Sequence, residues 1–258
     1  MAAMLLLVVS ILCSARLHAE DREIAGIFER RGVDGTMVIT SLDGKKRFVH
    51  NADRAEVRYP VASTFKILNT LIALQEGAVK GKDEVIRWDG TIRDFPDWNR
   101  DQTLESAFRT SCVWYYQELA RRVGSERYRS YLQLCRYGKL YGKLETTAFW
   151  LDGTLMISAQ EQVGFLQRLC RRTLPFSPVA YGTLRDLMVA GEGPGYVLRA
   201  KSGWTTASTP QVGWYVGYVE RDGEVWLFAM NMDLRDREEL KLRREVMIEA
   251  LRAKGLID

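Results

Sequence analysis

"QVGWYVGYVERDGEVWLFAMNMD", residues 211–233, is the stretch that decides the architecture. Two runs rich in Val, Trp, Tyr and Phe, Gln211–Glu220 and Glu224–Asp233, flank Arg221-Asp222-Gly223, the composition of two strands joined by a tight turn. Just upstream, "YVLRAKSGW" (196–204) reads as a third strand. Far away in the chain, "TMVITSLDGKKRFVH" (36–50) reads as two more around Asp43-Gly44. Asn51 to Tyr59 is a polar connector. Between these strand regions the patterns are helical. Pro60 opens a run with Ile67, Leu68, Leu71, Ile72 and Leu74 apolar and Gly77 as its stop. Helices over 103–109 and 113–123 flank "TSCV", and Ser125 caps another that ends near Tyr137. "SAQE" (158–161) is a capping box, Ser177-Pro178 starts a further helix, and 237–254 closes the chain as an amphipathic one. Strands at both chain ends with helices between them predict an α+β fold. One antiparallel sheet is built from both ends and flanked by helices, with an all-helical insertion over roughly 61–190.

With 258 residues, 47% of them hydrophobic, the chain can bury a large core. Its 37 basic and 33 acidic residues are spread along the length without a basic arm or stripe, which argues against a nucleic-acid partner. Residues 1–19, "MAAMLLLVVSILCSARLHA", hold an apolar run from Met4 to Cys13 that is too short to span a membrane. It suits a secretory signal, although no Lys or Arg precedes it; the other reading is a buried N-terminal helix. A signal over 1–19 leaves 20–258 as one domain, secreted or periplasmic. Cys112, Cys135 and Cys170 then remain, an odd number at wide spacing that reads as buried free thiols. His18 and His50 are isolated and build neither a zinc site nor a Ser-His-Asp triad.

The chemistry concentrates in "PVASTFKILN" (60–69). On a helix Ser63 and Lys66 share a face, in a first turn whose N–H groups are unpaired. That spacing alone leaves two readings: a nucleophile beside its own base, or a capping serine followed by a surface lysine. "KSG" (201–203) in a predicted strand and Ser111-Cys112-Val113 between two helices give the pair its company. These three elements in this order are the layout of the penicillin-recognising serine enzymes. Within that group the sequence resembles the class D β-lactamases, the oxacillinases, over nearly its whole mature length. The resemblance is carried by "YPVASTFKILN", "SCVWYYQELARRVG", "FWLDGTLMISAQEQVGFL", "KSGW", "VGWYVGYVE" and "FAMNMD". One motif departs: Tyr137-Gly138-Lys139 stands where the family carries an asparagine after the glycine, which would put a cation near the wall of the site.

The resemblance implies a serine β-lactamase/penicillin-binding-protein-like fold that opens the β-lactam ring of penicillin-type antibiotics through an acyl-enzyme on Ser63, conferring antibiotic resistance. It implies that Lys66 is carbamylated by carbon dioxide (N6-carboxylysine) and acts as general base, with no separate cofactor and no metal. Such a reaction needs a neutral amine. A lysine at its ordinary pKa is neutral about once in 2,500 molecules at pH 7, and apolar surroundings lower that pKa by up to about 3–5 units. Phe65, Val113, Tyr116, Trp150 and Leu151 are the expected wall. Trp150 would donate to the carbamate, against a reading as core packing. The backbone N–H groups of Ser63 and Trp204 would form the oxyanion hole. Ser111 would pass a proton to the leaving nitrogen, against a reading as a helix cap, with Lys201 biasing the potential. Ser202 and Arg243 would hold the substrate carboxylate, against a solvated helix position for Arg243. The implied partner is a small-molecule β-lactam, with no nucleic acid and no membrane beyond secretion; the sequence leaves the oligomeric state open. The rival readings are a β-lactam sensor ectodomain or a penicillin-binding peptidase, both of which acylate without fast deacylation; Val113, apolar where both rivals carry a polar residue, argues against them.

Overall fold

In the computed structural model, residues 19–258 are described; the leader reading of 1–19 falls almost wholly outside them. The Gln211–Arg221 and Glu224–Leu234 strands pair from Gln211↔Leu234 to Arg221↔Glu224. The two turn residues, Asp222 and Gly223, both have positive φ, 51° and 81°, the turn geometry that follows the natural twist of paired strands. Around this hairpin lies a six-stranded sheet in the order Arg47–His50, Gly35–Ser41, Glu224–Leu234, Gln211–Arg221, Tyr196–Thr205, Val189–Gly193. All neighbours are antiparallel. The N-terminal strand pairs with the last one, Gly35↔Met232 to Ser41↔Trp226, so both chain ends build the sheet as the sequence predicts.

Both faces of this sheet are covered, which is why its central strands read as continuous apolar runs instead of alternating. On one face Met37, Tyr215, Phe228 and Met230 pack with Ile24 and Phe28 of the Arg22–Arg31 helix and Val246 and Met247 of the Leu242–Ala253 helix. On the other, Val38, Trp214, Val216 and Leu227 join the larger core of the helical part. Among the described residues no helix is long and apolar enough to cross a membrane.

Several boundaries differ from the sequence reading, each for a local reason. Pro60 does not open a helix; with Tyr59 it forms a short strand paired to Met156 and Ile157. The helical run begins as a 3-10 turn, Ala62–Phe65, and continues as the α-helix Lys66–Gln75. The connector after Asn51 contains the short helix Ala52–Glu56. Ser125 is the first residue of its helix and not the cap, which is Gly124, and that helix ends at Leu134. The Ser158–Glu161 capping box is formed reciprocally, at 3.1 and 2.9 Å. The last helix is preceded by a 3-10 turn, Glu238–Lys241. Cys112 and Cys135 are buried and Cys170 half-buried, all as free thiols.

Candidate active site

Ser63 stands in the 3-10 turn, half-buried, directly after Ala62. Ala62 has φ 48°, a left-handed conformation that a residue with a Cβ adopts only under constraint. The constraint is visible on both sides. Thr64 Oγ1 donates to the Val61 carbonyl (2.6 Å) and accepts from Gln162 Nε2 (2.8 Å), and Trp214 Nε1 donates to the Pro60 carbonyl (3.0 Å). The sheet closes onto this turn at Gly203. A Cβ added there would lie 3.1 Å from Thr64 Cγ2 and 3.2 Å from Trp214 Cβ, tighter than an ordinary contact, so glycine eases the close approach of the "KSG" strand.

Lys66 is fully buried, and its Nζ donates to Ser63 Oγ at 2.8 Å. The amine lies 5.1 Å from the centroid of the Tyr116 ring, whose hydroxyl is held by Thr70. Burial pushes its pKa down to about 7, against a smaller opposing contribution from Cys112. A hydroxyl in contact with an amine whose pKa is brought to about 7 has the geometry that a nucleophile and its base require. The surface-lysine reading is therefore gone.

Trp150 is also fully buried, packed on Phe65 (5.9 Å between centroids) and edge-on to Phe149 (5.1 Å). Its Nε1–H finds no acceptor among the described residues. Buried N–H groups are nearly always paired, so core packing alone does not account for this donor. Ser111, just past the end of the Leu104–Arg109 helix, has φ 59°, and its Oγ is buried without a partner among the described residues. It does not cap the Val113–Val123 helix, whose capping position is Cys112.

The strand brings a second amine. Lys201 is 4% exposed, donates to the Ser202 carbonyl at 3.1 Å, and is held well below the usual lysine pKa by burial and then by the positive charges of Lys66 and Arg243. Arg243 is no solvated helix residue. Its Nη1 donates to the Gly203 carbonyl (2.6 Å) and its Nε to that of Leu240 (2.7 Å), and burial lowers its pKa to about 10. Its stem crosses Gly213, where an added Cβ would sit 2.8 Å from Arg243 Cδ.

Ser63, Ser111, Val113, Ser202, Trp204 and Arg243 line one cleft of about 290 Å³, with Leu151 beside them. Lys66, bonded to Ser63, and Trp150, next in the chain to Leu151, are fully buried and outside the lining, and Lys201 lines an adjoining hollow that shares Ser202. The lining holds Arg109 and Arg243 but no carboxylate, so the cleft favours an anion. Lys139 is not part of it. Gly138, where a Cβ would meet the Met156 carbonyl at 2.4 Å, pins the Lys139–Leu140 strand against Leu155–Ile157. Lys139 is thereby exposed, with its amine over Tyr141 (5.1 Å), which corrects the expectation of a cation at the wall.

Sequence reasoning missed Phe95, Trp98 and Leu240 in the lining and Gln162 behind Thr64. Gln162 did carry a signal. It falls four and seven residues before Leu166 and Leu169, a polar side chain on the apolar stripe of its helix.

The family model for the penicillin binding protein transpeptidase domain matches residues 35–252. Beta-lactamase OXA-48 of Klebsiella pneumoniae is 37% identical over 243 residues, 94% of this chain and 92% of that protein. Beta-lactamase OXA-20 of Pseudomonas aeruginosa is 41% identical over 219 residues, 84% and 81% of the two chains. Among solved structures, the class D β-lactamase YbXI from Nostoc superposes with a TM-score of 0.88 at 40% identity, covering 91% of this chain and 99% of its own. FUS-1 (OXA-85), a class D β-lactamase from Fusobacterium nucleatum subsp. polymorphum, gives 0.89 at 36% identity, covering 93% and 100%.

Proposed function

The chain belongs to the class D β-lactamases, enzymes of the penicillin-binding transpeptidase family, and from this premise we propose that it opens the β-lactam ring through an acyl-enzyme on Ser63, with Lys66 as the base. The observation that carries the reading is the 2.8 Å contact between Ser63 Oγ and a fully buried amine whose pKa is brought to about 7.

Lys66, carrying a carbamate, would take the hydroxyl proton as Ser63 Oγ adds to the lactam carbonyl carbon. The oxyanion that forms is met by the backbone N–H groups of Ser63 and Trp204, on the two segments that Gly203 allows into contact. The carbon–nitrogen bond then breaks. Ser111, whose buried Oγ has no partner among the described residues, relays the proton taken from Ser63 on to the leaving nitrogen and so recovers its own hydroxyl, and Lys201 biases the local potential. Ser202 and Arg243 orient the substrate carboxylate, with Arg243 itself steadied by two backbone carbonyls.

Release of the acyl group needs a water molecule to add to the acyl carbon as the bond to Ser63 Oγ breaks, and a base that stays ionised near neutral pH to take that water's proton. A carbamate on Lys66, formed by carbon dioxide adding to the neutral amine with loss of a proton, would supply a carboxylate-like base. The residues fit that group: the amine is buried and neutralisable, and Trp150 offers an N–H with no acceptor. Val113 and Leu151 give the adjoining wall its apolar character. We place the protein outside the cytoplasm, with residues 1–19 as a leader and 20–258 as one catalytic domain; the apolar run Met4–Cys13 supports that placement. The test is a time course of penicillin absorbance at substoichiometric protein. Many turnovers support hydrolysis, whereas a single burst equal to the protein concentration would mean acylation without release and overturn it.

A further inference from the structure

Two segments distant in sequence meet across one end of the cleft. On the helical side, Phe95 and Trp98 stack at 4.5 Å between centroids and 28°. That pair is anchored by Trp98 Nε1 on the Thr110 carbonyl (3.0 Å) and by Trp114 Nε1 on the Trp98 carbonyl (2.8 Å). On the sheet side, the 3-10 turn Glu238–Lys241 carries Leu240 into the same cleft, and the Leu240 carbonyl steadies Arg243. Arg237 caps this turn, with its carbonyl accepting from Leu240 N at 3.2 Å. Its guanidinium lies 4.1 Å from the centroid of the Phe95 ring. The neighbouring Glu239 carboxylate is taken by Arg235, and among the described residues Arg237 has no ion-pair partner, so its charge is spent on the ring face.

We propose that Arg237 is a specificity-determining residue. Seated on Phe95, it straps the 95–98 rim to the C-terminal turn and thereby limits the bulk of the amide side chain that a β-lactam can carry into the cleft. The inference rests on reading that cleft as the substrate site. A flat, narrow side chain lies along Phe95 and Trp98 without disturbing the contact. A side chain branched next to its carbonyl must part Arg237 from the ring and forfeits that attraction, worth about two- to fivefold at an exposed site.

The test compares kcat/KM for benzylpenicillin with that for a penicillin whose ortho-disubstituted aryl ring is attached directly to the amide carbonyl. Arg237→Ala should raise the bulky-to-small ratio about two- to fivefold. Arg237→Lys, which keeps a cation over the ring, should stay near wild type. In a Phe95→Leu background, Arg237→Ala should change the ratio no further, since the face it sits on is gone. An unmoved ratio in an active enzyme overturns the strap alone. An equal loss for both penicillins on Arg237→Ala, whatever residue stands at 95, would overturn it in favour of simple attraction of the anionic substrate. If the wild type turned over neither penicillin, the hydrolase reading would fail and the strap with it.

Discussion

Replacing Lys66 with methionine should stabilise the protein at neutral pH, and the gain should fade as the pH rises. The amine is fully buried, and burial lowers its pKa from 10.5 to about 7. Between those values the unfolded chain binds a proton that the folded chain does not, so stability climbs with pH across the window; below about 7 the whole penalty is present. At about 1.4 kcal/mol per pH unit, the fall is worth about 4.8 kcal/mol in full. Roughly 4 kcal/mol of it acts at pH 7, about 2 at pH 9 and under about 0.5 near pH 10.5. Methionine keeps the unbranched stem and forfeits one hydrogen bond to a half-exposed hydroxyl, about 1 kcal/mol. A net gain of about 3 kcal/mol at pH 7 should therefore shrink to nothing by about pH 10. Urea denaturation at pH 7, 8.5 and 10 in degassed buffer measures it. Adding bicarbonate should then stabilise the wild type alone, because a molecule bound only to the folded amine shifts the equilibrium toward it. A methionine variant that is less stable at pH 7, or equally favoured at pH 7 and 10, would refute the buried-amine argument. An equal bicarbonate response in both proteins would remove Lys66 as the site of carbon dioxide addition.

Ser63→Ala should leave the fold intact and abolish the covalent adduct seen by intact-mass spectrometry after brief exposure to penicillin; an adduct of equal yield would exclude Ser63 as the nucleophile. Trp150→Phe removes a buried N–H that has no acceptor, so stability in degassed buffer should change by no more than about 1 kcal/mol. The bicarbonate concentration for half-maximal activity, and for the carbamate signal in carbon NMR, should rise about tenfold or more through loss of a donor to an anion. An unmoved midpoint would leave Trp150 as packing only. Gly203→Ala drives a Cβ against Thr64 and Trp214, at an overpacking cost of about 1–3 kcal/mol. The strand should retreat from the Ser63 turn and slow acylation about tenfold or more in stopped flow; wild-type acylation would show that the close approach is not needed.

The hairpin at 211–234 was legible because its apolar, β-branched and aromatic runs are unbroken and its turn carries Asp-Gly. The edge strand Val189–Gly193 was not, since "VAGEG" has two glycines, no alternation, and an irregular register at Ala190. The helix Arg22–Arg31 was passed over beside the leader, although Asp21 caps it and its apolar residues Ile24, Ile27 and Phe28 are spaced for one buried face. At the site, Ser63, Lys66 and Ser111 were readable because motif spacing survives in one dimension. Phe95, Trp98 and Arg237 were not, because what unites them is the meeting of two segments some 140 residues apart, which no local pattern encodes. The outward turn of Lys139 depended on Gly138 finding the Met156 carbonyl, a tertiary contact.

Left-handed backbone at a residue other than glycine occurs at six described positions, and five have local explanations. Asn51 and Asp222 are residue types that tolerate it, and Ser111, Arg136 and Arg172 each follow a helix end. Ala62 has neither excuse, and it adjoins the cleft. The buried amines Lys66 and Lys201 and the unmatched polar atoms of Ser111 and Trp150 gather at the same place. Each is unfavourable on its own, and each persists only because rigid neighbours over-determine it. Those neighbours come from both parts of the fold. The helical part supplies Thr64 and Gln162, and the sheet built from the chain ends supplies Gly203 and Trp214. Two separately anchored layers thus hold these costs in one cleft. A substitution that removes one of them, Lys66→Met, should therefore make the protein more stable and chemically inert at once.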